Sequence, residues 1–337
     1  MKRFPGQFDP CIGALMTPVT KDANLTTSPR RNAFTIDVED YFQVSAFEAH
    51  IERRDWSSLP CRIERNMDRI LAILNRHGVQ ATFFTLGWIA ERFPRIIREL
   101  VDGGHELASH GYEHIRVTQQ NRADFGQDIR RTKTLLEDIG GVEVLGYRAA
   151  SYSIDRSCLW AHDELREAGY RYSSSIYPIH HDLYGIPDAP RFAYFPRADD
   201  DTFVEIPITT TDILGYRLPC GGGGYFRLFP YALSRWAIER VNRQDRESAI
   251  FYFHPWEIDP EQPQQVGLKF KTRFRHYLNL HRTEARLNRL LTDFQWDRMD
   301  RLFLAVDKST AGASESGAAP LTRPHAPPDL QESWSPQ

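Results

Sequence analysis

A chain of 337 residues with 41% hydrophobic and 26% charged residues has enough apolar material for one large folded domain or two ordinary ones. Its formal net charge of −3 offers no electrostatic case for binding nucleic acid or an anionic membrane surface. No apolar run reaches the ~20 residues of a membrane-crossing helix, and the patch at 11–16 is shorter than the ~7–15-residue core of a secretory signal, so a cytoplasmic protein is the simplest expectation.

Residues 1–32 mix Pro, Thr, Asn and Arg without periodicity and are expected to form a disordered leader. The first strand is expected at 33–37, an apolar run that ends in three carboxylates within four residues, Asp37, Glu39 and Asp40. Residues 41–60 read as an irregular loop carrying Phe42, Phe47 and Trp56. Ile63, Met67, Ile70, Leu71 and Leu74 form a helical stripe across 63–75, closed by Gly78. A strand at 81–85 leads into a helix over 87–100 that Pro94 divides. A third strand at 105–108 runs into His110. A long helix covers 121–139 and stops at Gly140 and Gly141, after which a strand at 142–147 delivers Arg148. A helix at 157–168 precedes a fifth strand at 170–176.

Five alternations of strand and helix argue for a parallel α/β barrel or sheet. From 177 to 228 the pattern gives way to short β-like runs punctuated by Pro and Gly, expected to form a lobe on the rim. Four glycines at 221–224 expose backbone as phosphate-binding loops do, but no Lys-Ser/Thr follows them. A helix at 231–242, a strand at 248–253 ending at His254, and a closing helix at 282–293 complete the pattern. Residues 306–337 are rich in Ser, Ala and Pro and are expected to be a disordered tail. The cysteines, Cys11, Cys61, Cys158 and Cys220, include no C-x-x-C pair and read as free thiols.

Parallel α/β folds gather functional groups at the carboxyl ends of their strands, and the chemically interesting residues fall at such ends here. Three neighbouring acids cannot all ionise cheaply without a cation or an arginine nearby. His110 and His114 are four apart, so one helical turn would bring both imidazoles to one side, as a shared metal needs. Two histidines and one carboxylate, with positions left open, make a catalytic rather than a structural metal set. Arg148 is suited to pair with a first-strand carboxylate and hold it ionised. His254 precedes Pro255, so its backbone is expected to be extended. Tyr152, Trp256 and Trp88 are aromatics able to stack on a sugar ring.

Taken together, the strings FTIDVEDYFQV, ELASHGYEH, GYRAASYSI, GGGGYFR and FYFHPWEID resemble the polysaccharide deacetylases of carbohydrate esterase family 4. The resemblance runs over 33–305 and looks closest to the exopolysaccharide-locus branch, similar to allantoinase-like and Helicobacter-type peptidoglycan deacetylases. It implies a deformed parallel (β/α) barrel of about seven strands, with a small β-rich insertion lobe at 177–228. It also implies a metal-dependent hydrolase that removes N-acetyl groups from amino sugars of a polysaccharide, in exopolysaccharide biosynthesis. Carried over by position, Asp37 is the general base, steadied by Arg148, and His254 is the general acid. Glu39, with Asp40 as the alternative, joins His110 and His114 around a divalent ion, expected to be Zn2+. The Ser151 amide offers an oxyanion contact, and Tyr152 and Trp256 lie with the substrate. The partners implied are an N-acetylated polysaccharide or oligosaccharide and a polysaccharide assembly complex. Two departures stand out: Ala150 replaces the proline of this branch, and no Asp lies near Ser173 and Ser174 to back the catalytic histidine. The rival readings are a carbohydrate-binding pseudoenzyme and an allantoinase-like amidase on the same scaffold.

Overall fold

The computed structural model describes residues 17–18, 30–181 and 184–304. The expected leader, apart from 17–18 and 30–32, and the expected tail lie outside the described residues. Seven parallel strands form the frame: β1 (Arg31–Val38), β2 (Thr82–Thr85), β3 (Glu106–Ser109), β4 (Gly146–Tyr147), β5 (Tyr172–Ser173), β6 (Val204–Glu205) and β7 (Ile250–Phe253). Their spatial order is β6-β5-β4-β3-β2-β1-β7, and a short β8 (Gln295–Asp297) also pairs with β1. The sheet is thus a curled, incomplete barrel in which β1 is the last strand but one, between β2 and β7. β1 is buried from Asn32 onward, as a parallel strand covered on both faces must be.

The helices follow in chain order: α1 (Ile63–His77), α2 (Gly87–Arg92), α3 (Pro94–Asp102), α4 (Arg122–Gly140), α5 (Ala161–Glu167), α6 (Gly223–Leu228), α7 (Tyr231–Arg240), α8 (Phe270–Tyr277), α9 (Leu280–Asp293) and α10 (Met299–Phe303). α1 buries Ile63, Met67, Ile70, Ile73 and Leu74 and ends at Gly78 in a left-handed turn, as its periodicity predicts. The side chain of Asn121 caps α4 through the Asp124 N–H, at 2.9 Å. Pro94 divides α2 from α3 because it opens the second helix at its first position, where a missing N–H costs nothing.

Several elements are shorter than expected. The strand predicted at 142–147 pairs only at 146–147, that at 170–176 only at 172–173, and the helix at 157–168 narrows to α5. Side chains and turns take up the backbone instead: Glu137 accepts the Val144 N–H at 3.0 Å, and Glu205 accepts those of Ser175 and Ile176, each at 2.9 Å. Within 177–228, β6 joins the main sheet, and a hairpin of Thr210–Ile213 with Tyr216–Pro219 forms a separate two-stranded sheet. α6, α8, α10 and β8 have no counterpart in the expected pattern, and α6 forms where 221–227 were expected to be a loop.

The open side of the barrel is bridged by 206–222. Ile206 and Ile208 donate to the carbonyls of Ser173 and Ile176, while Thr209 Oγ1 accepts the Ile250 N–H at 2.6 Å. The four-glycine run is the seam. Gly222 forms a parallel bridge with Tyr252, at φ +124°, and a Cβ there would lie 2.0 Å from the Tyr252 carbonyl oxygen. The glycines therefore serve close backbone approach rather than a phosphate cradle. At the opposite end, the Glu106 carboxylate collects the hydroxyls of Thr82 and Tyr172, at 2.6 and 2.8 Å, and the Asp300 N–H at 3.1 Å. α10 thereby plugs the amino-terminal mouth and leaves the carboxyl ends of the strands for chemistry. No helix among the described residues is long and apolar enough to cross a membrane.

Two outcomes follow. Gly222→Ala forces both a clash and a forbidden φ, and we expect a loss of about 3 kcal/mol or more in chemical denaturation. His105 accepts the Ala81 N–H on Nδ1 at 3.2 Å, a bond that requires the neutral ring, and burial pushes its pKa from 6.5 down to about 4. The unfolded chain takes up this proton near 6.5 and the folded one only near 4, so stability should fall as pH drops through that window. Urea midpoints at pH 7 and pH 5 should differ less in His105→Asn than in the parent.

Candidate active site

The alternation of β1 sorts the acids. Thr35, Asp37 and Glu39 follow the two-residue period to the barrel interior, and Asp40 falls on the other side. Asp40 accepts the backbone N–H groups of Tyr41, Arg62 and Ile63, at 2.8, 2.6 and 3.0 Å, and the Cys61 thiol at 3.0 Å. It caps the start of α1 from a distance and lies outside the group of ligand atoms described below, so the alternative ligand is Glu39's neighbour in sequence only.

Glu39 meets His110 and His114. One ligand atom from each of the three side chains lies within 4.8 Å of the others, and all three residues are buried. The histidines reach this position differently from the expected helical turn. Residues 110–114 are a loop in which Gly111 and His114 adopt left-handed φ of +75° and +54°, and the two rings lie 5.1 Å apart. Arg53 pins the loop by donating to the carbonyls of Glu113 and His114, at 2.9 and 3.3 Å. His110 Nδ1 lies 2.7 Å from the Arg148 carbonyl, which only accepts, so Nδ1 carries the proton and Nε2 keeps a free lone pair. Burial pushes the His110 pKa down to about 4 and that of His114 well below its usual value, so both rings are neutral, as metal ligands must be. Burial also pushes the Glu39 carboxyl up to about 7, and Glu39 Oε2 has no hydrogen-bond partner among the described residues although His114 Nε2 stands 3.1 Å away. A buried carboxylate oxygen without a donor, beside two neutral imidazoles, fits a divalent cation.

Arg148, fully buried at the end of β4, donates to Asp37 Oδ1 at 2.6 Å and to Thr35 Oγ1 at 2.8 Å. Its other nitrogens reach the carbonyl and hydroxyl of Ser174, at 3.2 and 3.1 Å, and its face covers Phe84 at 4.0 Å. Across the site, His254 Nε2 stands 3.8 Å from Asp37 Oδ2 and 3.6 Å from Glu39 Oε1. His254 Nδ1 bonds Glu257 Oε1 at 2.7 Å, and Arg227 donates to Glu257 Oε2 at 2.6 Å. Burial opposes the imidazolium, yet the carboxylates Glu39, Glu257 and Asp37 outweigh it and push His254 up to about 9. Burial likewise opposes the Glu257 anion, and Arg227 with His254 hold it down to about 2.

The descriptions of known families divide the chain within this site. Residues 56–173 match the polysaccharide deacetylase family, and 174–304 match a domain of unknown function (DUF3473). Over 56–173 the chain is similar to the polysaccharide deacetylase family. Among relatives, the peptidoglycan-N-acetylglucosamine deacetylase of Bacillus cereus is 36% identical over 73 residues, 22% of this chain and 26% of that protein. The peptidoglycan deacetylase of Helicobacter pylori is 27% identical over 123 residues, 36% of this chain and 39% of that protein. The matches thus span less than half the length of these relatives. A crystal structure from Mycobacterium smegmatis, provisionally titled a polysaccharide deacetylase, aligns with 92% of this chain and 100% of its own, at TM-score 0.54 and 17% identity, and shares the deformed (β/α) barrel fold.

The carboxylate behind His254 is Glu257, not an Asp near Ser173 and Ser174. Those serines face elsewhere: Ser174 holds Arg148, and the Ser173 hydroxyl donates to Ser175. Glu257 and Arg227 escaped the sequence reading, although both sit in quoted motifs. Their signal was the H-P-W-E spacing, because a 3₁₀ turn brings i and i+3 together. His254, Trp256, Glu257 and Arg227 all lie in the segment matching the domain of unknown function, which therefore supplies one wall of the site.

The expected aromatic platforms take other roles. Trp256 is buried, stacks on His254 at 5.2 Å and on His276 at 4.3 Å, and donates to Glu39 Oε1 at 3.2 Å. Its ring surface is used in positioning Glu39 rather than left open for a sugar. Trp88 is core, packed edgewise on Phe42 and Trp56. Tyr152 is buried among Tyr177, Tyr184 and Tyr252, with ring centroids 5.6, 6.0 and 5.0 Å away, and its hydroxyl has no partner among the described residues. Ser151 and Tyr152 both hold left-handed φ, near +55°, following Ala150, and the Ser151 hydroxyl pairs with Ser45 at 2.6 Å. Two such residues in succession store strain of about 1–3 kcal/mol each beside Arg148.

The separate placement of Glu39 and Asp40 has a direct test. In Zn2+ titration calorimetry, Glu39→Ala should lose stoichiometric binding and Asp40→Asn should keep it. Asp40→Asn should instead lower the denaturation midpoint, at a cost of about 1–3 kcal/mol, because buried N–H groups lose their acceptor.

Proposed function

We propose that this chain is an N-deacetylase, a hydrolase that removes acetyl groups from N-acetylated amino sugars of a polysaccharide, and that it serves exopolysaccharide biosynthesis. The observation that carries the reading is the meeting of an arginine-paired aspartate, a buried Glu-His-His cluster and a carboxylate-backed histidine within one strand-end site. The names of the Bacillus cereus and Helicobacter pylori relatives support an N-acetylated glycan as the substrate class.

Glu39, His110 and His114 would hold the divalent ion, with Zn2+ favoured by two imidazoles and one carboxylate. When bound, the ion supplies Lewis-acid stabilisation of charge on the amide oxygen. Asp37 is the general base, and its bond to Arg148 Nη1 fixes Oδ1 and points Oδ2 into the site. It takes the proton of the attacking water. His254, protonated and oriented by Glu257, gives a proton to the departing sugar amine. Glu257 holds the proton on Nδ1, so Nε2, which faces Asp37 and Glu39, is the donor at the reacting centre. The strained turn at Ser151 supports the reading of its N–H as a further contact for the developing oxyanion.

Asp37→Asn should retain Zn2+ binding and lower acetate release from N-acetylglucosamine oligomers by about 10²-fold or more. The substitution also removes the counter-charge of a buried arginine, a loss of about 3 kcal/mol, so folding is checked by thermal melting. A folded, metal-loaded variant that releases acetate at the parental rate would remove Asp37 from the mechanism.

A further inference from the structure

Helix α8 presents two opposed faces. Its inward side carries Thr272 and His276, and His276 is buried against Trp256. On the opposite side Phe270 and Phe274, one turn apart, stack with centroids 6.2 Å apart and stand 83% and 47% exposed. Val266, just before the helix, is 83% exposed. With 100° between successive residues, Lys271 and Arg275 fall on one flank of this ridge and Arg273 on the other. All three are exposed, as is Lys269 at the start of the helix. No acidic residue occurs between Glu261 and Glu284, a stretch that also holds Arg282. The whole-chain charge of −3, which gives no case for an anionic membrane surface, thus averages out a locally basic, apolar-tipped segment.

We propose that α8 is a docking surface for an anionic lipid bilayer. Phenylalanine rings on an outward ridge can enter the acyl boundary, and the Lys and Arg stems on both flanks can extend their charges back to headgroup phosphates. An acidic glycan suits the ridge less well. Phenylalanine has no hydroxyl or N–H to fix a sugar, and Val266 has no ring to stack on one. The helix is anchored rather than loose: Arg227 donates to the carbonyls of His276 and Leu278, at 2.7 and 2.9 Å. Through His276 and Trp256 the docked helix would hold the Glu39 cluster close to the bilayer surface.

The test is flotation of the full chain with extruded vesicles. Vesicles of mixed phosphatidylglycerol and phosphatidylcholine should bind it about tenfold or more better than phosphatidylcholine alone, and added salt should weaken the binding. Phe270→Ser with Phe274→Ser should reduce binding by about tenfold or more at an unchanged melting temperature, since both rings face solvent. Lys269→Ala with Arg273→Ala should cut the preference for the anionic lipid by about tenfold or more, and an unchanged preference overturns the proposal. Equal binding to both vesicle types, binding to neither, or parental binding by the double phenylalanine variant overturns the proposal. Capture by soluble polyuronate without flotation also overturns it, in favour of an acidic glycan.

Discussion

A guanidinium that is wholly enclosed must have an anion, and at the centre of this barrel that anion is Asp37. Arg148 enters from the end of β4, crosses the interior, and meets β1 through both Thr35 and Asp37. Removing either charge would strand the other in a low-dielectric interior, at a cost of several kcal/mol. This single pair ties two strands that are three places apart in the sheet and fixes where every neighbouring group must sit. The Arg148 carbonyl sets the tautomer of His110, Phe84 packs under the guanidinium, and Ser174 takes its remaining hydrogen bonds.

Around that pair the site is built in two opposed halves. One half comes from β1 and the His110–His114 loop, where burial keeps the imidazoles neutral and leaves Glu39 Oε2 without a donor. The other comes from the 3₁₀ turn after β7, where the carboxylates of Glu39, Glu257 and Asp37 keep His254 positively charged against its burial, and Arg227 with His254 keeps Glu257 an anion. A neutral pair of histidines on one side and a cationic histidine on the other is a division of labour set by environment, not by residue type. Trp256 links the halves, because its indole stacks on His254 and donates to Glu39.

Much of the fold was legible because it rests on local pattern. The stripe of α1, the glycine stops of α1 and α4, and the apolar runs of β1, β2 and β7 follow from residue order. The short strands β4 and β5 were overestimated, since apolar residues near them serve the core without pairing, and side-chain acceptors such as Glu137 and Glu205 satisfy the backbone instead. The four glycines at 221–224 signalled exposed backbone, but the close approach they serve and its partner, Tyr252, thirty residues away, could not be named from sequence.

Residue order by itself determined which chemical groups stand at strand ends: the β1 acids, the histidine couple, Arg148 and His254. It determined this because strand and helix periods are local properties, and the turn residues that follow them are local too. Tertiary structure alone decided what each group does there. It turned Glu39 inward and Asp40 toward the start of α1, brought the histidines together through a left-handed loop rather than a helical turn, and set Glu257 and Arg227 behind His254. Those outcomes depend on burial and on partners distant in the chain, and neither quantity is written in any short stretch of residues.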